Sequence, residues 1–296
     1  NFRKFKRIIM KVVFEETKFL IIHADDAGLS HSQNSAIIES LEKGVVNSYS
    51  IMIPCPWFYE IGNYAKANSQ FDYGIHLTLT CEWENYKFGP VSPIEDVKSL
   101  VDKNGYFFRT RDELKEFANE KEVKKELKAQ IEKALNYGLN PTHIDSHMYS
   151  VGVNKEFFNL YKELGQFYNL PVLLNNKLLE MVGLNVKENI NKNDFVFDDI
   201  CIGNYKHFAN NKLKKYYLDF IENIKSGVNI ILIHPAFNDP EMKGITINHP
   251  NFGSEWRQID FEIFTSQEIK SKIEKNNIQL ITWKELTQAR TEKRNE

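Results

Sequence analysis

The chain has 296 residues, 42% hydrophobic and 26% charged, a profile that suits a globular protein with a sizeable core. Its 38 basic and 40 acidic side chains leave a formal net charge of −2, so no global positive field points to a nucleic-acid partner. No stretch approaches eighteen consecutive apolar residues, so neither a membrane-spanning helix nor a membrane partner is expected.

Cys55, Cys81 and Cys201 are isolated and odd in number, which gives neither a disulfide framework nor a thiolate zinc site. A reducing compartment is the default for such usage, and the expected location is cytoplasmic. Residues 1–16 are basic with two short apolar pieces, interrupted at Lys11 and followed by no small-residue cleavage site. They read as an N-terminal extension to a single domain over 1–296, with Met10 a candidate natural start.

In chain order, Phe19-Leu20-Ile21-Ile22 is an apolar run of the kind that forms a buried strand, and it breaks into Asp25, Asp26 and Gly28. Ser30 or Ser32 can cap a helix through Leu41, with Gly44 as its stop. A strand over 49–53 ends at Pro54, and a helix over 56–67 opens at Pro56. Residues 73–80 alternate as a third strand, in which His76, Thr78 and Thr80 share a face.

Residues 81–110 lack steady periodicity and carry many aromatics, which marks a binding loop or lid. One helix is expected over 112–137, its charges a solvated face. A short strand over 141–147 again ends in ligand-capable residues, followed by a helix over 155–167 and a brief strand over 171–174. The section 177–211 is ambiguous, with only 195–202 strand-like. A helix over 213–224 leads to an apolar strand over 228–233 that ends in His234-Pro235. A second irregular stretch covers 236–260; a helix over 266–276, a strand over 278–282 and a closing helix over 283–290 complete the chain.

About seven alternating β and α units argue for parallel strands with crossover helices. Polar chemistry at Asp25/Asp26, His76, His143/His147 and His234 falls at or near strand ends, which favours an α/β fold of the distorted (β/α) barrel, TIM-barrel-like kind over an open doubly wound sheet.

One carboxylate and two imidazoles with open positions are a standard ligand set for a catalytic divalent metal, and Asp26, His76 and His147 can supply it from three strands. His143 and His147 flank Asp145, so a ligand and an orienting partner can sit side by side. Asp25 would stay free to take a proton from water polarised by the metal, and His234 could protonate a leaving amine or alcohol.

Ala24-Asp25-Asp26-Ala27-Gly28, Gly74-Ile75-His76-Leu77-Thr78-Leu79-Thr80, Pro141-Thr142-His143-Ile144-Asp145-Ser146-His147 and His234-Pro235-Ala236 resemble the ordered motifs of the YdjC-like carbohydrate deacetylases, a group that includes chitooligosaccharide deacetylases. Arg257, Glu262 and Ile281-Thr282-Trp283 fit the family's C-terminal pattern, so the resemblance spans nearly the whole chain. It implies a distorted (β/α) barrel that removes acetyl groups from N-acetylated sugars or oligosaccharides with a divalent metal, Mg2+ or Zn2+. Position by position, Asp25 matches the base, Asp26, His76 and His147 the metal ligands, and His234 an acid or oxyanion partner. Arg257 is expected to hold Asp25 ionised, and His143, Asp145, Tyr149 and Trp83 to orient groups or meet the sugar. Trp57, Tyr86, Phe88 and Trp256 are further candidates for stacking on sugar rings, about half of the six being packing residues.

The chain departs from the pattern at Ala27, where many relatives have Phe, and at Met148, Tyr149 and Val151, which stand in a run of histidines. These changes bear on substrate contacts more than on the ligands. The competing readings are a metal-dependent hydrolase of another amide or a phosphoester, and a sugar-binding relative without catalysis. No arginine or lysine cluster near the motifs favours the phosphoester, and a pure binder has no need of Asp25 and His234. A homodimer is left open.

Overall fold

The computed structural model describes residues 16–191 and 194–295, so the expected N-terminal extension lies, but for Glu16, outside the described residues. Seven strands form one parallel sheet: β1 (Lys18–Ala27), β2 (Ser48–Ile51), β3 (Asp72–Leu77), β4 (Ile144–Ser146), β5 (Asp199–Ile202), β6 (Gly227–Ile233) and β7 (Ile278–Leu280). The order is β4-β3-β2-β1-β6-β5, with β7 also paired to β1. Parallel strands covered by helices are buried on both faces, which is why β1 and β6 read as near-continuous apolar runs.

β1 is the hub. One edge pairs with β6 along Lys18 to Ala24. Its other edge is shared, Lys18 to Leu20 with β7 and His23 to Ala27 with β2. Asn47 spans the handover: its Oδ1 accepts the Ile22 N–H at 2.8 Å and its amide donates to the Ile281 carbonyl at 3.0 Å. No ladder partner reaches these groups there, and a side chain satisfies them instead.

The far edges approach each other through single parallel bridges, Ile144 to Val172 and Asn175 to Phe197. The strand expected over 171–174 is reduced to these bridges, and the sheet curls into a distorted barrel. Three further expectations change. The helix over 112–137 is two, Arg111–Phe117 and Glu120–Asn136, because Ala118 turns extended and Asn119 caps a new start on the Lys121 N–H. The stretch 236–260 contains helices Pro240–Ile245 and Ser254–Thr265, the first capped by Asp239 with proline at its opening turn. The helix expected from residue 56 begins at Phe58. Ser30 caps His31–Lys43 and Gly44 ends it, as expected.

Among the described residues, no helix is long and apolar enough to cross a membrane.

Candidate active site

The two aspartates sit on a defect in β1. From Ala24 to Ala27 the strand takes three steps while β2 takes two, from Tyr49 to Ile51. That extra residue makes a bulge, a device that re-aims side chains beside active sites. Asp26 adopts the left-handed region at φ 67°, which Asp tolerates better than most residues. The turn continues through Gly28 at φ 97°, where an added Cβ would stand 3.1 Å from the Met52 carbonyl oxygen. Adjacent carboxylates thus reach different partners.

Asp26 is fully buried. Its Oδ1 lies 3.1 Å from His147 Nδ1 and 3.3 Å from His76 Nε2, and its Oδ2 accepts Arg257 at 2.8 Å. Each imidazole has its other nitrogen on a carboxylate. His76 Nδ1 is 2.8 Å from Asp145 Oδ1, and His147 Nε2 is 2.8 Å from Glu82 Oε2. With those nitrogens donating, His76 Nε2 and His147 Nδ1 keep lone pairs aimed at the space beside Asp26.

The three ligand atoms lie within 4.8 Å of one another and line one cavity, so the donor set fits a divalent cation. Two other groupings, Asp25/His76/Asp145 and His23/His143/Asp145, are equally close. In the first, His76 Nδ1 is at hydrogen-bond distance from Asp145 and committed to it. In the second, His23 and His143 lie behind the cavity wall. Asp26, His76 and His147 are the set that lines the cavity with both imidazoles free to present a lone pair.

Charges here are held against burial. Burial opposes a proton on His76, yet Asp145 and Asp25 outweigh it and raise its pKa well above the imidazole range. Burial also opposes one on His147, but Glu82 and Asp26 push it up to about 9. Burial would raise Asp26, yet Arg257 and His147 hold its carboxyl well below the usual range. Anionic carboxylates surrounding basic nitrogens are a pattern that a metal ion can complete by taking the place of protons.

Asp25 shares only the outer reach of His76, 3.9 Å away, and its nearer imidazoles are others. Its Oδ1 is 3.2 Å from His23 Nε2, and its Oδ2 is 3.5 Å from His234 Nε2. His23 also reaches Asp145 Oδ2 at 2.9 Å and the Ser48 and Ser50 hydroxyls at 2.9 and 3.1 Å. Burial opposes charge on His23, but Asp145 and Asp25 raise its pKa to about 9. His234 differs, because burial, helped by Arg257 and His76, outweighs Asp26 and Asp25, lowers it to about 4 and keeps the ring neutral near pH 7. Its backbone N–H donates to Asp260 at 2.9 Å.

The structure therefore gathers Asp25, Asp26, His76, Asp145, His147 and His234 around one cavity of about 460 Å3. Several expectations are corrected. Arg257 touches Asp26 and not Asp25; its other nitrogens donate to Gln33 and to the Phe252 carbonyl, so it orients the ligand. His143 stays in the core, stacked on Trp283 at 4.5 Å with its Nδ1 at the Thr142 hydroxyl. Trp83 is fully buried against His249 and Arg257 and does not line the cavity. Of the six aromatic candidates only Tyr149 faces the cavity, its hydroxyl donating to the Leu173 carbonyl.

Glu82, His23, Ser50 and Asp260 escaped the sequence reading. A signal existed for two of them: His23 precedes Asp25 by two, and Glu82 continues the even-numbered alternation of His76, Thr78 and Thr80. Part of the cavity wall comes from 173–182 and 202–205, within or beside the section that showed no clear pattern.

The YdjC-like protein family matches residues 19–275. A carbohydrate deacetylase of Enterococcus faecalis is 32% identical over 272 residues, covering 91% of this chain and 98% of that protein. One from Thermoanaerobacter pseudethanolicus is 29% identical over 269 residues, with 90% and 98% covered. A chitooligosaccharide deacetylase of Yersinia enterocolitica is 29% identical over 264 residues, covering 87% and 94%. Among solved structures, one from Enterococcus faecalis described as a cellobiose-phosphate cleavage protein superposes with a TM-score of 0.74 at 31% identity, over 92% of this chain and 99% of that one.

Proposed function

Because the chain belongs to the YdjC-like protein family, we propose that it is a carbohydrate deacetylase that hydrolyses the amide of N-acetylated sugars with the help of a divalent cation. The observation that carries this reading is the meeting of two sets of groups at one cavity: Asp26, His76 and His147, and the Asp25–His234 pair.

Asp26, His76 and His147 would hold the cation, magnesium or zinc, and when bound it supplies Lewis acidity to water and to the amide carbonyl. Glu82 and Asp145 keep the two imidazoles in the tautomers that present lone pairs. Arg257 keeps Asp26 anionic. Asp25 is the base: its carboxylate takes a proton from the attacking water. Neutral His234, 3.5 Å away, is placed to pass a proton on to the departing nitrogen. Water's oxygen joins the acyl carbon, the C–N bond breaks, and an amine and a carboxylic acid leave.

Phosphoester hydrolysis is disfavoured. Arg111 and Arg257 are the arginines at the cavity, and Arg257 is consumed by Asp26, Gln33 and Phe252. The test is acetate release from N-acetylglucosamine oligomers by metal-loaded and chelator-treated protein. Release that stops on chelation and returns with zinc or magnesium supports the reading. Equal rates with and without metal, or no release with either metal, would sink it.

A further inference from the structure

The active-site cavity has an extended apolar lining and opens beside a charged groove. Its apolar arm is lined by Leu173, Leu178 and Leu232, almost closed to water, together with Val182, Ile202 and Phe252. At its mouth stand Met148, Met181 and Tyr205, which are 39%, 69% and 46% exposed. A neighbouring groove of about 540 Å3 is lined by Arg109, Thr110, Arg111, Asp112 and Glu113, and it shares Glu82, Arg111, Met148 and His249 with the cavity. The apolar arm and the charged groove thus adjoin within one cavity system, linked by Glu82, which contacts His147.

The apolar arm begins beside the chemistry. Leu232, near the end of β6, and His234, just past it, both line the cavity. Ile202 aligns with Leu232 across the β5–β6 ladder. A scissile amide held at His234 and Asp25 therefore has an apolar surface within reach of one substituent. The amine substituent, if a sugar, carries hydroxyls that need hydrogen-bond partners, and the Arg109–Glu113 groove offers them. The acyl substituent is left for the apolar arm. A single methyl covers little of a surface built from three leucines, a valine, an isoleucine and a phenylalanine, whereas each further methylene gains by burial there.

We propose that this arm is an acyl-chain subsite, and that the enzyme takes N-acyl amino sugars with chains longer than acetyl. The inference rests on the amidase reading above and specifies its substrate class. The bond changes are unaltered: water's oxygen joins the acyl carbon, the C–N bond breaks, the nitrogen gains a proton, and a short fatty acid leaves in place of acetic acid.

The experiment compares kcat/KM of the zinc-loaded full chain on dimers of N-acetyl-, N-butyryl- and N-hexanoyl-glucosamine, measuring amine release. The expected result is a rise of about fourfold for each added methylene that the arm buries. Val182→Phe, which fills the arm, should depress the hexanoyl and butyryl rates more than the acetyl rate and invert the order; Ile202→Phe is the second variant should the first not fold. Arg111→Ala, in the groove, should raise KM by a similar factor for all three. An acetyl dimer cleaved best, with each methylene slowing the reaction, would overturn the subsite while leaving deacetylation intact. A preference for aryl over methyl glycosides with no response to acyl length would place the apolar group on the sugar and also overturn it. Failure to cleave any chain length would overturn the amidase reading together with the subsite.

Discussion

At the scale of single residues, the bulge in β1 gives two chemically identical side chains different work. Asp26 faces two imidazoles and an arginine, and Asp25 faces His23 and His234. Asp25→Asn should lower the hydrolysis rate by about a hundredfold to ten-thousandfold while the protein still retains its metal on elemental analysis. Asp26→Asn removes an anionic ligand and should strip the metal as well; the opposite pattern would exchange the roles. Asp260 offers a test of stability. Burial raises its pKa to about 7, far above an ordinary carboxyl. Below about pH 4 it is protonated in folded and unfolded chains alike. Between about 4 and 7 only the unfolded chain releases the proton, so rising pH favours unfolding, and above 7 the loss is complete. That loss is at most about 4 kcal/mol. Denaturant titrations from pH 4 to 8 should show it in the native chain and not in Asp260→Asn, which can still accept the His234 N–H.

At the scale of elements, the site depends on how β1 is held between three neighbours. Asn47 bridges β7 and β2 where the shared edge changes partner. Asn47→Ala strands the Ile22 N–H and the Ile281 carbonyl, and should cost about 1–3 kcal/mol in chemical unfolding. Its effect on chemistry should be small, because the bulge that carries Asp25 and Asp26 begins beyond that point. A loss in rate much larger than the loss in stability would show that the handover also sets the bulge. The strand and helix pattern around this hub was legible because burial on both faces demands runs such as Phe19 to Ile22 and Val228 to Ile233. The break at Ala118 was not, since a helical composition runs through it and the capping Asn119 decides the matter locally.

At the scale of the whole molecule, buried acid and base groups from β1, β3, β4 and β6 converge on one point. Without a cation, His76 and His147 balance their carboxylates with protons; a cation would bind the folded chain and not the unfolded one. At a free metal concentration a hundredfold above Kd, binding should add about 2.7 kcal/mol of stability. Calorimetry of the chelator-treated protein should therefore show Tm rising by several degrees on adding zinc or magnesium. In Asp26→Asn that rise should disappear. An unchanged Tm in the native chain would mean that the three groups hold no metal.

The sequence alone determined the alternation of strands and helices, the parallel barrel, and the delivery of Asp25, Asp26, His76, Asp145, His147 and His234 to strand ends. Such features follow from local periodicity and from residue types at strand termini, which the chain carries in its own order. Tertiary structure alone decided the partners. Arg257 lies 231 residues beyond Asp26 and could have paired with either aspartate; the bulge and the left-handed turn at Asp26 place it on that one. Glu82 became the partner of His147, and His143 a core ring stacked on Trp283, through contacts between distant segments. The apolar arm likewise comes from 173–182, 202–205, β6 and Phe252, none of which signals a shared cavity alone. Long-range pairing is a property of packing, and periodicity carries no record of which side chains will face each other across a closed space.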